Sequence, residues 1–385
     1  MPFSPSQFLS QYWQKQPVVL RQFFSGFNDP VDEHVSGFND PVDEHDLAGL
    51  AQEEDVDSRI IARNNNEWHV AHGPFTSFDK ACQGDWTLLV QAVDRYIPQV
   101  SDLMEAFDFI PYWRMDDVMI SFATKGAGVG PHEDQYDVFL IQGKGSRNWR
   151  VGEPGQYEEV FPHPNLRQLK SFPTWQSYTL NPGDVLYIPP GWPHDGVAES
   201  DCLTYSIGFR APDSALLSQQ LTEALIGGDL RSERYADPGL TPRNHPSMVM
   251  TDELSALKEL LIKQIAGDGF DDTLMRLLSD QQLPYNLPEE LLTTEELCQA
   301  IEQGAEYVLA SGCHPIFSQH QPADSFTFYV NAEQFTATEA SRASIEALLQ
   351  GHPVNAAWVA TLDTLAFMNI MTILINKGYW ERMDT

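Results

Sequence analysis

The stretch "GPHEDQYDVFLIQGKGSRNWRVG" (residues 130–152) begins in a glycine-containing turn and continues into an apolar strand. His132 and Asp134 stand one residue apart at the head of that strand, where such side chains contribute little to a hydrophobic core. A second element, "NPGDVLYIPPGWPHDG" (residues 181–196), places His194 just beyond another strand, after a Pro-Gly turn that constrains the backbone. The two elements have to be interpreted together, because an isolated H-x-D is common by chance.

Two imidazoles and one carboxylate on one face of a metal leave positions open for other ligands, as in the facial triad of non-haem Fe(II) oxygenases. The sequence therefore predicts a metal site made by His132, Asp134 and His194. The alternative is that the two histidines cap turns through hydrogen bonds and bind nothing.

The region around residues 55–210 alternates short apolar strands with Gly and Pro turns. "QYDVFLIQ" (135–142) and "RNWRVG" (147–152) are predicted to pair as a hairpin across "GKGS". Many short antiparallel strands at this spacing favour an α+β protein built on a double-stranded β-helix of the jelly-roll or cupin type.

Composition narrows the class of partner. The 385 residues carry 23 basic and 55 acidic side chains, a net charge of −32, which repels nucleic acid and anionic lipid and attracts basic proteins.

No apolar run reaches the length of a membrane span, and the first residues lack the pattern of a signal peptide. Four scattered cysteines fit a reducing compartment, so a cytoplasmic protein without membrane contact is expected.

The chain changes character after residue 210. Residues 211–286 contain apolar side chains at helical spacing, and this helical segment is predicted to mediate dimerisation, with packing inside one chain as the alternative. Residues 287–385 combine helices with short strands, typical of a winged-helix-like domain. This last part has three basic residues against thirteen acidic ones, which argues against nucleic-acid binding.

A decapeptide, "SGFNDPVDEH", occurs twice, at residues 25–34 and 36–45. Its acidic residues lack the order and central glycine of a calcium loop. Two short units cannot form a solenoid, so a tandem duplication in a surface loop is predicted, without chemistry of its own.

"GVGPHEDQYDVFLIQGKGSRNWRVGE" and "PGDVLYIPPGWPHDG" resemble the Jumonji-C branch of the 2-oxoglutarate-dependent oxygenases, and the whole chain resembles the bacterial ribosomal oxygenases. The resemblance implies a homodimeric protein hydroxylase that uses Fe(II), 2-oxoglutarate and O2. It further implies an arginine of a large-subunit ribosomal protein as the target. The predicted domains are 1–210 (Jumonji-C/cupin oxygenase), 211–286 (helical dimerisation) and 287–385 (winged-helix-like).

The distal carboxylate of 2-oxoglutarate requires a cation, and a guanidinium can hold it with two parallel hydrogen bonds. Strand alternation places Arg147 on one face with Trp149, and Arg150 on the other. The basic residue of the family aligns with Arg147, which is therefore predicted to bind the co-substrate, with Arg210 as the second candidate and Lys144 considered. The hydroxyl that assists it in the family aligns with Ala123, so its replacement is sought at Ser121 or Thr124.

Three residues are candidates for substrate binding by the same resemblance: Asp117, Tyr136 and Met119. A carboxylate and an aromatic ring would hold a guanidinium between them. The alternatives are a strand-end turn for Asp117 and barrel packing for Tyr136. At the level of function, the competing hypotheses are a small-molecule hydroxylase, another metal-dependent cupin enzyme and a non-catalytic binding protein.

Overall fold

A computed structural model describes most of the chain, and it divides into two compact units, Met1–Ala211 and Pro212–Thr385. Each unit has its own hydrophobic core. The predicted division of the second unit after residue 286 stays a prediction. The described residues are 3–24, 38–242, 245, 247–283, 287–288, 290–362 and 364–383.

The first unit is rich in β-structure, with three helices that precede the strands of the barrel or connect them. Three short 3-10 helices occupy Val93–Arg95, Asp102–Phe107 and Tyr112–Arg114. The regular elements are α1 (Pro5–Gln11), β1 (Val18–Leu20), α2 (Glu44–Leu50), β2 (Ser58–Asn64), β3 (Glu67–His72), β4 (Asp85–Val90), α3 (Pro98–Ser101), β5 (Met115–Ala123), β6 (Asp137–Gln142), β7 (Arg147–Val151), β8 (Glu159–His163), β9 (Leu166–Leu169), β10 (Gln176–Leu180), β11 (Val185–Ile188), β12 (His194–Ala198) and β13 (Cys202–Phe209).

The strands form the double-sheet jelly roll predicted from the sequence. The larger sheet has eight antiparallel strands in the order β1-β11-β6-β13-β5-β4-β2-β3, and the smaller has three in the order β10-β7-β12. Strands β8 and β9 form a separate hairpin. Successive side chains of a strand point to opposite faces of the sheet. In the large sheet, one set of side chains therefore faces the small sheet and the other set faces the outer core.

The outer face of the large sheet carries the main core. Val118, Ile120 and Phe122 of β5 belong to it, together with Phe8 of α1 and Leu47 of α2. Aromatic rings dominate this core, and such rings combine a large buried area with tilted or edge-on contacts. The result is a rigid sheet whose inner face is free to hold a site.

The predicted hairpin between β6 and β7 is wrong. β6 pairs with β11 and β13 in the large sheet, whereas β7 pairs with β10 and β12 in the small one. The chain therefore crosses from one sheet to the other in the connection at 143–146. All six residues of β6 are buried, as expected of a central strand covered on both faces, and turn residues alone cannot distinguish such a crossing from a hairpin.

The first copy of the duplicated decapeptide lies outside the described residues, and of the second copy the structure describes residues 38–45. These residues are part of the fold. Val42 is buried, the Phe38 ring packs on Phe24, and Tyr205 donates its hydroxyl hydrogen to Asp40 at 2.8 Å. Asp43 caps the N-terminus of α2 through the backbone N–H groups of the first turn.

The second unit combines a helical part with a mixed α/β part. α4 and α6 pack on one another through Ala224 and Phe270, and the mixed part encloses a core that includes Phe328, Met371 and Trp380. A 3-10 helix covers Glu339–Ser341. The elements are α4 (Ser214–Gly227), α5 (Thr251–Ile265), α6 (Asp268–Leu278), α7 (Thr294–Glu302), β14 (Tyr307–Leu309), β15 (Ile316–Phe317), β16 (Ser325–Val330), β17 (Glu333–Thr338), α8 (Arg342–Leu349), α9 (Ala356–Val359), α10 (Thr364–Asn376) and β18 (Trp380–Arg382).

None of the described helices is both long enough and apolar enough to cross a membrane. The apolar stretch near the C-terminus forms α10, and Phe367, Met368 and Leu374 of this helix are buried in the core of the second unit. That agrees with its prediction as a buried helix.

Removing residues 25–35 should leave a folded protein, because the copy that remains supplies the contacts of Phe38, Asp40 and Val42. We expect the melting temperature to stay within about 4 °C of that of the full chain, measured by scanning calorimetry. As a contrast, Val42→Ala in the full chain should lower the free energy of unfolding by about 2 kcal/mol, since it opens a cavity. A deletion that destabilises more than Val42→Ala would contradict this assignment.

Candidate metal centre

A short backbone bridge joins the loop that follows β5 to the first residue of β12. The backbone N–H of His132 donates to the carbonyl of His194 at 2.9 Å, and the N–H of His194 donates to the carbonyl of His132 at 2.8 Å. This pairing brings the two imidazoles side by side, with ring centroids 4.2 Å apart. Residues far apart in the sequence thus become neighbours through the backbone.

The hydrogen bonds of the two rings define their tautomers. Nδ1 of His132 lies 2.9 Å from the carbonyl oxygen of Gly130, and Nδ1 of His194 lies 2.9 Å from that of Trp192. A carbonyl only accepts, so each Nδ1 carries a hydrogen, and in the neutral ring Nε2 then has the free lone pair. Nε2 of His194 is 3.6 Å from Oδ2 of Asp134.

The side chains of His132, Asp134 and His194 converge. One potential ligand atom from each lies within 4.8 Å of the other two, and within the described part of the chain no other group of this kind occurs. Burial, and then the neighbouring His132, lower the pKa of His194 to about 4. His194 is therefore neutral at physiological pH, which is the form that donates a lone pair to a metal.

The loop that carries His132 depends on a glycine. Gly130 has φ +83°, and a Cβ at this position would collide with the side chain of Gln168. Gln168, on β9, donates from Nε2 to the carbonyl of Val129 at 2.7 Å. The β8–β9 hairpin thereby holds the loop against the barrel.

A cavity of about 410 Å³ opens beside these three residues, between the two sheets. Met119 and Ser121 of β5 line it from the large sheet, and Arg147 and Trp149 of β7 line it from the small sheet. The structure brings every predicted site residue to this one cavity: His132, Asp134, His194, Arg147, Asp117, Tyr136 and Met119.

Arg147 is buried in the cavity wall, with 4 % of its surface exposed. Its Nε and Nη2 are inaccessible to solvent and have no hydrogen-bond partner among the residues that the structure describes. The guanidinium carbon lies 5.5 Å from the centre of the Trp149 ring. A buried charge without a counter-charge is costly, so an anionic ligand at this position would be favourable.

The other basic candidates are engaged elsewhere. Lys144 pairs with Glu44 at 2.7 Å, and Arg150 pairs with Asp195 at 2.5 Å. The side chain of Arg210 is 65 % exposed and pairs with Asp116 at 2.5 Å. Of these four side chains, Arg147 is therefore the one whose charged group is buried in the cavity without an acidic partner among the described residues.

The two candidates for the assisting hydroxyl, Ser121 and Thr124, also differ in whether they are engaged elsewhere. Thr124 both accepts from and donates to the backbone of Trp86 through its Oγ1, and Ala123 is fully buried. Ser121 lines the cavity, as does Thr87 of β4, whose buried Oγ1 has no partner among the described residues. Sequence reasoning missed Thr87, although alternation along "DWTLLV" (85–90) was a usable signal once the inner face of the strand was known.

Asp117 has internal partners. Its Oδ2 accepts a hydrogen bond from Nε2 of Gln91 at 2.8 Å and another from the backbone N–H of Ala92 at 3.0 Å. Burial, and then the charge of Asp134, raise the pKa of Tyr136 well above its usual range, so its hydroxyl stays protonated. Asp117 therefore presents an oriented carboxylate, and Tyr136 an intact phenol, on the cavity wall.

Known protein families match both units. The JmjC domain matches residues 102–217, the AraC-like ligand binding domain matches residues 175–279, and the ROXA-like winged helix matches residues 261–381. The last match begins inside α5, earlier than the predicted boundary at residue 287.

Two curated relatives cover most of the chain. The ribosomal protein uL16 3-hydroxylase of Escherichia coli is 37% identical over 377 residues, which are 97% of this chain and 96% of the relative. The probable ribosomal oxygenase of Haemophilus influenzae is 34% identical over 78% of this chain and 73% of its own. The chain belongs to the ribosomal oxygenase family.

Solved structures of the ribosomal oxygenase of Escherichia coli have the same fold over the whole chain. The complex with cobalt and 2-oxoglutarate superposes with a TM-score of 0.85 at 35% identity, over 99% of each chain. The complex with cobalt and succinic acid gives the same score. The family resemblance and the fold class, a jelly roll followed by a winged-helix domain, are thus confirmed.

Replacing Arg147 by methionine should not destabilise this ribosomal oxygenase, because it removes a buried charge without a protein counter-charge. We expect the free energy of unfolding to rise by about 1 kcal/mol, measured by urea denaturation. Arg150→Met is the matched control, and it should lower the free energy of unfolding, because the buried carboxylate of Asp195 loses its partner. A marked loss of stability in Arg147→Met would contradict the assignment of Arg147 to a ligand.

Proposed function

We propose that the protein is an Fe(II)- and 2-oxoglutarate-dependent hydroxylase that acts on an arginine side chain of a large-subunit ribosomal protein. The observation that carries the proposal is the presence of two features in one cavity. These are the converging His132, Asp134 and His194 and the buried guanidinium of Arg147, for which the described residues provide no counter-charge. The names of its relatives in Escherichia coli support the reaction class.

His132, Asp134 and His194 would hold the metal. Two neutral imidazoles and a carboxylate suit Fe(II) and leave one face open to other ligands. When bound, Fe(II) together with 2-oxoglutarate and O2 supplies the oxidant that hydroxylates an unactivated C–H bond. The carbonyls of Gly130 and Trp192 orient the imidazoles through Nδ1, which keeps both Nε2 atoms directed at one point.

Arg147 would bind the distal carboxylate of 2-oxoglutarate with Nε and Nη2, the two donors that have no partner within the described part of the chain. Ser121 would donate its hydroxyl to the same carboxylate, in place of the residue that Ala123 replaces, and Thr87 is a second donor within the same cavity. Trp149 and Leu140 line the cavity beside these donors and exclude bulk water, which strengthens each of these hydrogen bonds.

Asp117, Tyr136 and Met119 would hold the target side chain. Gln91 and the N–H of Ala92 engage one carboxylate oxygen of Asp117 before any substrate arrives, so little reorganisation is needed on binding. Tyr136 offers a ring face to a guanidinium, and its hydroxyl oxygen can accept a hydrogen bond from the guanidinium N–H groups. Together these groups position the target carbon, and this positioning is the protein's own contribution to catalysis.

The net charge of −32 supports a strongly basic partner, which a ribosomal protein is. The alternatives are separable by experiment. A cupin that uses another metal for isomerisation or hydrolysis would not consume 2-oxoglutarate. A non-catalytic binding protein would consume nothing, and a small-molecule hydroxylase would turn over without modifying a peptide.

The first test measures succinate formation by anaerobically iron-loaded protein, with and without peptides digested from ribosomal proteins. We expect stimulation by the peptides and, by mass spectrometry, a gain of one oxygen on an arginine. Asp134→Ala should lower this activity by more than about 100-fold, because changes even outside the ligand set cost about 10–100-fold. Turnover that persists in Asp134→Ala would refute the metal assignment.

Two controls make this test specific. The melting temperature of Asp134→Ala should stay within about 4 °C of that of the unmodified protein. Among the described residues Asp134 has no cationic partner, and its neighbour His194, at 3.6 Å, is neutral. Glu158→Gln removes one charge from an exposed ion pair with Lys170 and should leave turnover unchanged.

We also propose that α5 forms a homodimer interface. Five apolar side chains lie along one face of this helix, each 44 to 54% exposed, and α5 has no buried residue. The opposite face is partnered, since Lys263 pairs with Glu233 at 2.7 Å. A helix face of this kind suits a two-fold contact with its own copy. The five residues are Leu254, Leu257, Leu261, Ile262 and Ile265.

Leu257→Asp combined with Leu261→Asp should convert the dimer into a monomer, because two charges would be buried in the contact. Sedimentation velocity at micromolar concentration measures the change. Ala256→Asp, on the opposite face of α5, is the control and should remain dimeric. An unmodified protein that sediments as a monomer would overturn the interface.

A further inference from the structure

The pairing of β5 with β13 contains an irregularity at the cavity. In the register of the two strands, Val118 pairs with Ile207 and Met115 pairs with Phe209. Between these two pairs β5 has two residues and β13 has one. The two residues are Asp116 and Asp117, opposite Gly208. This is the arrangement of a β-bulge, which redirects side chains and often lies beside active sites.

The bulge has a chemical consequence. In a regular strand Asp116 would share a face with Val118 and Ile120, which lie in the main hydrophobic core. Instead, Asp116 and Asp117 both line the cavity, so two consecutive carboxylates face the same space. Sequence periodicity alone would have directed Asp116 away from it.

The two carboxylates have different partners. Asp117 is buried and accepts from Gln91 and Ala92, whereas Asp116 pairs with Nε of Arg210, whose side chain is 65 % exposed. The cavity thus has an inner carboxylate with fixed neutral donors and an outer one with a cationic partner.

The backbone of Arg210 is fixed by contacts with the rest of the fold, whereas its side chain is largely exposed. Its carbonyl accepts from Nε of Arg114 at 2.5 Å, and Arg114 in turn pairs with the buried Asp137 at 3.0 Å. The guanidinium of Arg210, in contrast, has much of its surface in solvent. The side chain of Asp116 is only 21 % exposed, so Arg210 leaves it at low cost only when another cation takes its place.

Gly208 leaves space next to this pair. A Cβ at this position would lie 3.8 Å from Oδ2 of Asp116 and 3.8 Å from Cε2 of Tyr136. A cation above Gly208 would therefore contact a carboxylate on one side and an aromatic ring on the other. Carboxylates and aromatic rings are the two groups that bind guanidinium and ammonium ions best.

We propose that Asp116, Tyr136 and Gly208 form a second cation subsite at the cavity mouth, which Arg210 occupies in the free protein and a basic side chain flanking the target residue takes over in the complex. This inference rests on the proposed function, since it assumes a basic protein substrate. Asp116 is then a specificity-determining residue, because it recognises a side chain that flanks the target residue. In an extended peptide, side chains two positions apart are roughly 7 Å apart, so one segment could reach both carboxylates.

The test compares short synthetic peptides that contain one central arginine. One set carries a single lysine at each nearby position in turn, and the parent peptide has glutamine at all of them. Peptide affinity is measured by calorimetry and peptide-stimulated succinate formation by kinetics, for the unmodified protein, Asp116→Asn and Arg210→Gln. Glu158→Gln removes the same charge from an ion pair whose residues do not line the cavity, and it serves as the matched control.

We expect one lysine position to strengthen binding to the unmodified protein. Asp116→Asn should abolish that gain, which means about fivefold lower affinity and about fivefold higher KM for that peptide, with kcat unchanged. Arg210→Gln should strengthen binding of the same peptide about twofold to fivefold, because no resident cation has to leave. Glu158→Gln should retain the preference of the unmodified protein.

Three outcomes would overturn the subsite. Asp116→Asn could weaken all peptides equally, Arg210→Gln could weaken binding, or Glu158→Gln could abolish the lysine preference as fully as Asp116→Asn does. These results are distinct from a failure of the proposed hydroxylase. An unmodified protein that shows the lysine preference by calorimetry but forms no succinate would reject the reaction and retain the subsite.

Discussion

The site depends on two backbone hydrogen bonds, those that His132 and His194 exchange. They join a loop anchored on the large sheet to the first residue of β12 in the small sheet, and they set the distance between the two imidazoles. Backbone pairing suits this task because it fixes the positions of the two Cα atoms, whereas the side-chain torsions need a separate restraint. With Nδ1 of each ring directed at a carbonyl oxygen, little freedom remains to either histidine.

The same cavity stores unfavourable free energy. Arg147 is buried without a counter-charge, and the hydroxyl of Thr87 and the indole nitrogen of Trp149 are buried without partners among the described residues. Natural proteins tolerate such groups where a ligand satisfies them, and the surrounding core must compensate for the cost. The dense aromatic core on the outer face of the large sheet supplies that compensation.

Much of the site could be predicted from local patterns. The ligand chemistry of His132, Asp134 and His194 and the face of Arg147 follow from residue type, turn signals and strand alternation, which act over a few residues. The pairing of β6 with strands other than β7 could not be predicted in this way. Partners in a sheet are chosen by burial across the whole domain, and a four-residue connection fits a sheet crossing as well as a hairpin.

The sequence by itself determined the fold class, the residue types of the candidate metal site and the acidic charge, because composition and periodicity depend only on neighbouring residues. Only the tertiary structure decided which of the four basic candidates has no acidic partner among the described residues, since Lys144, Arg150 and Arg210 find theirs elsewhere in the fold. It also decided that Asp116 turns toward the cavity. That direction arises from the register between β5 and β13, which is a property of two strands distant in the sequence and of neither strand alone.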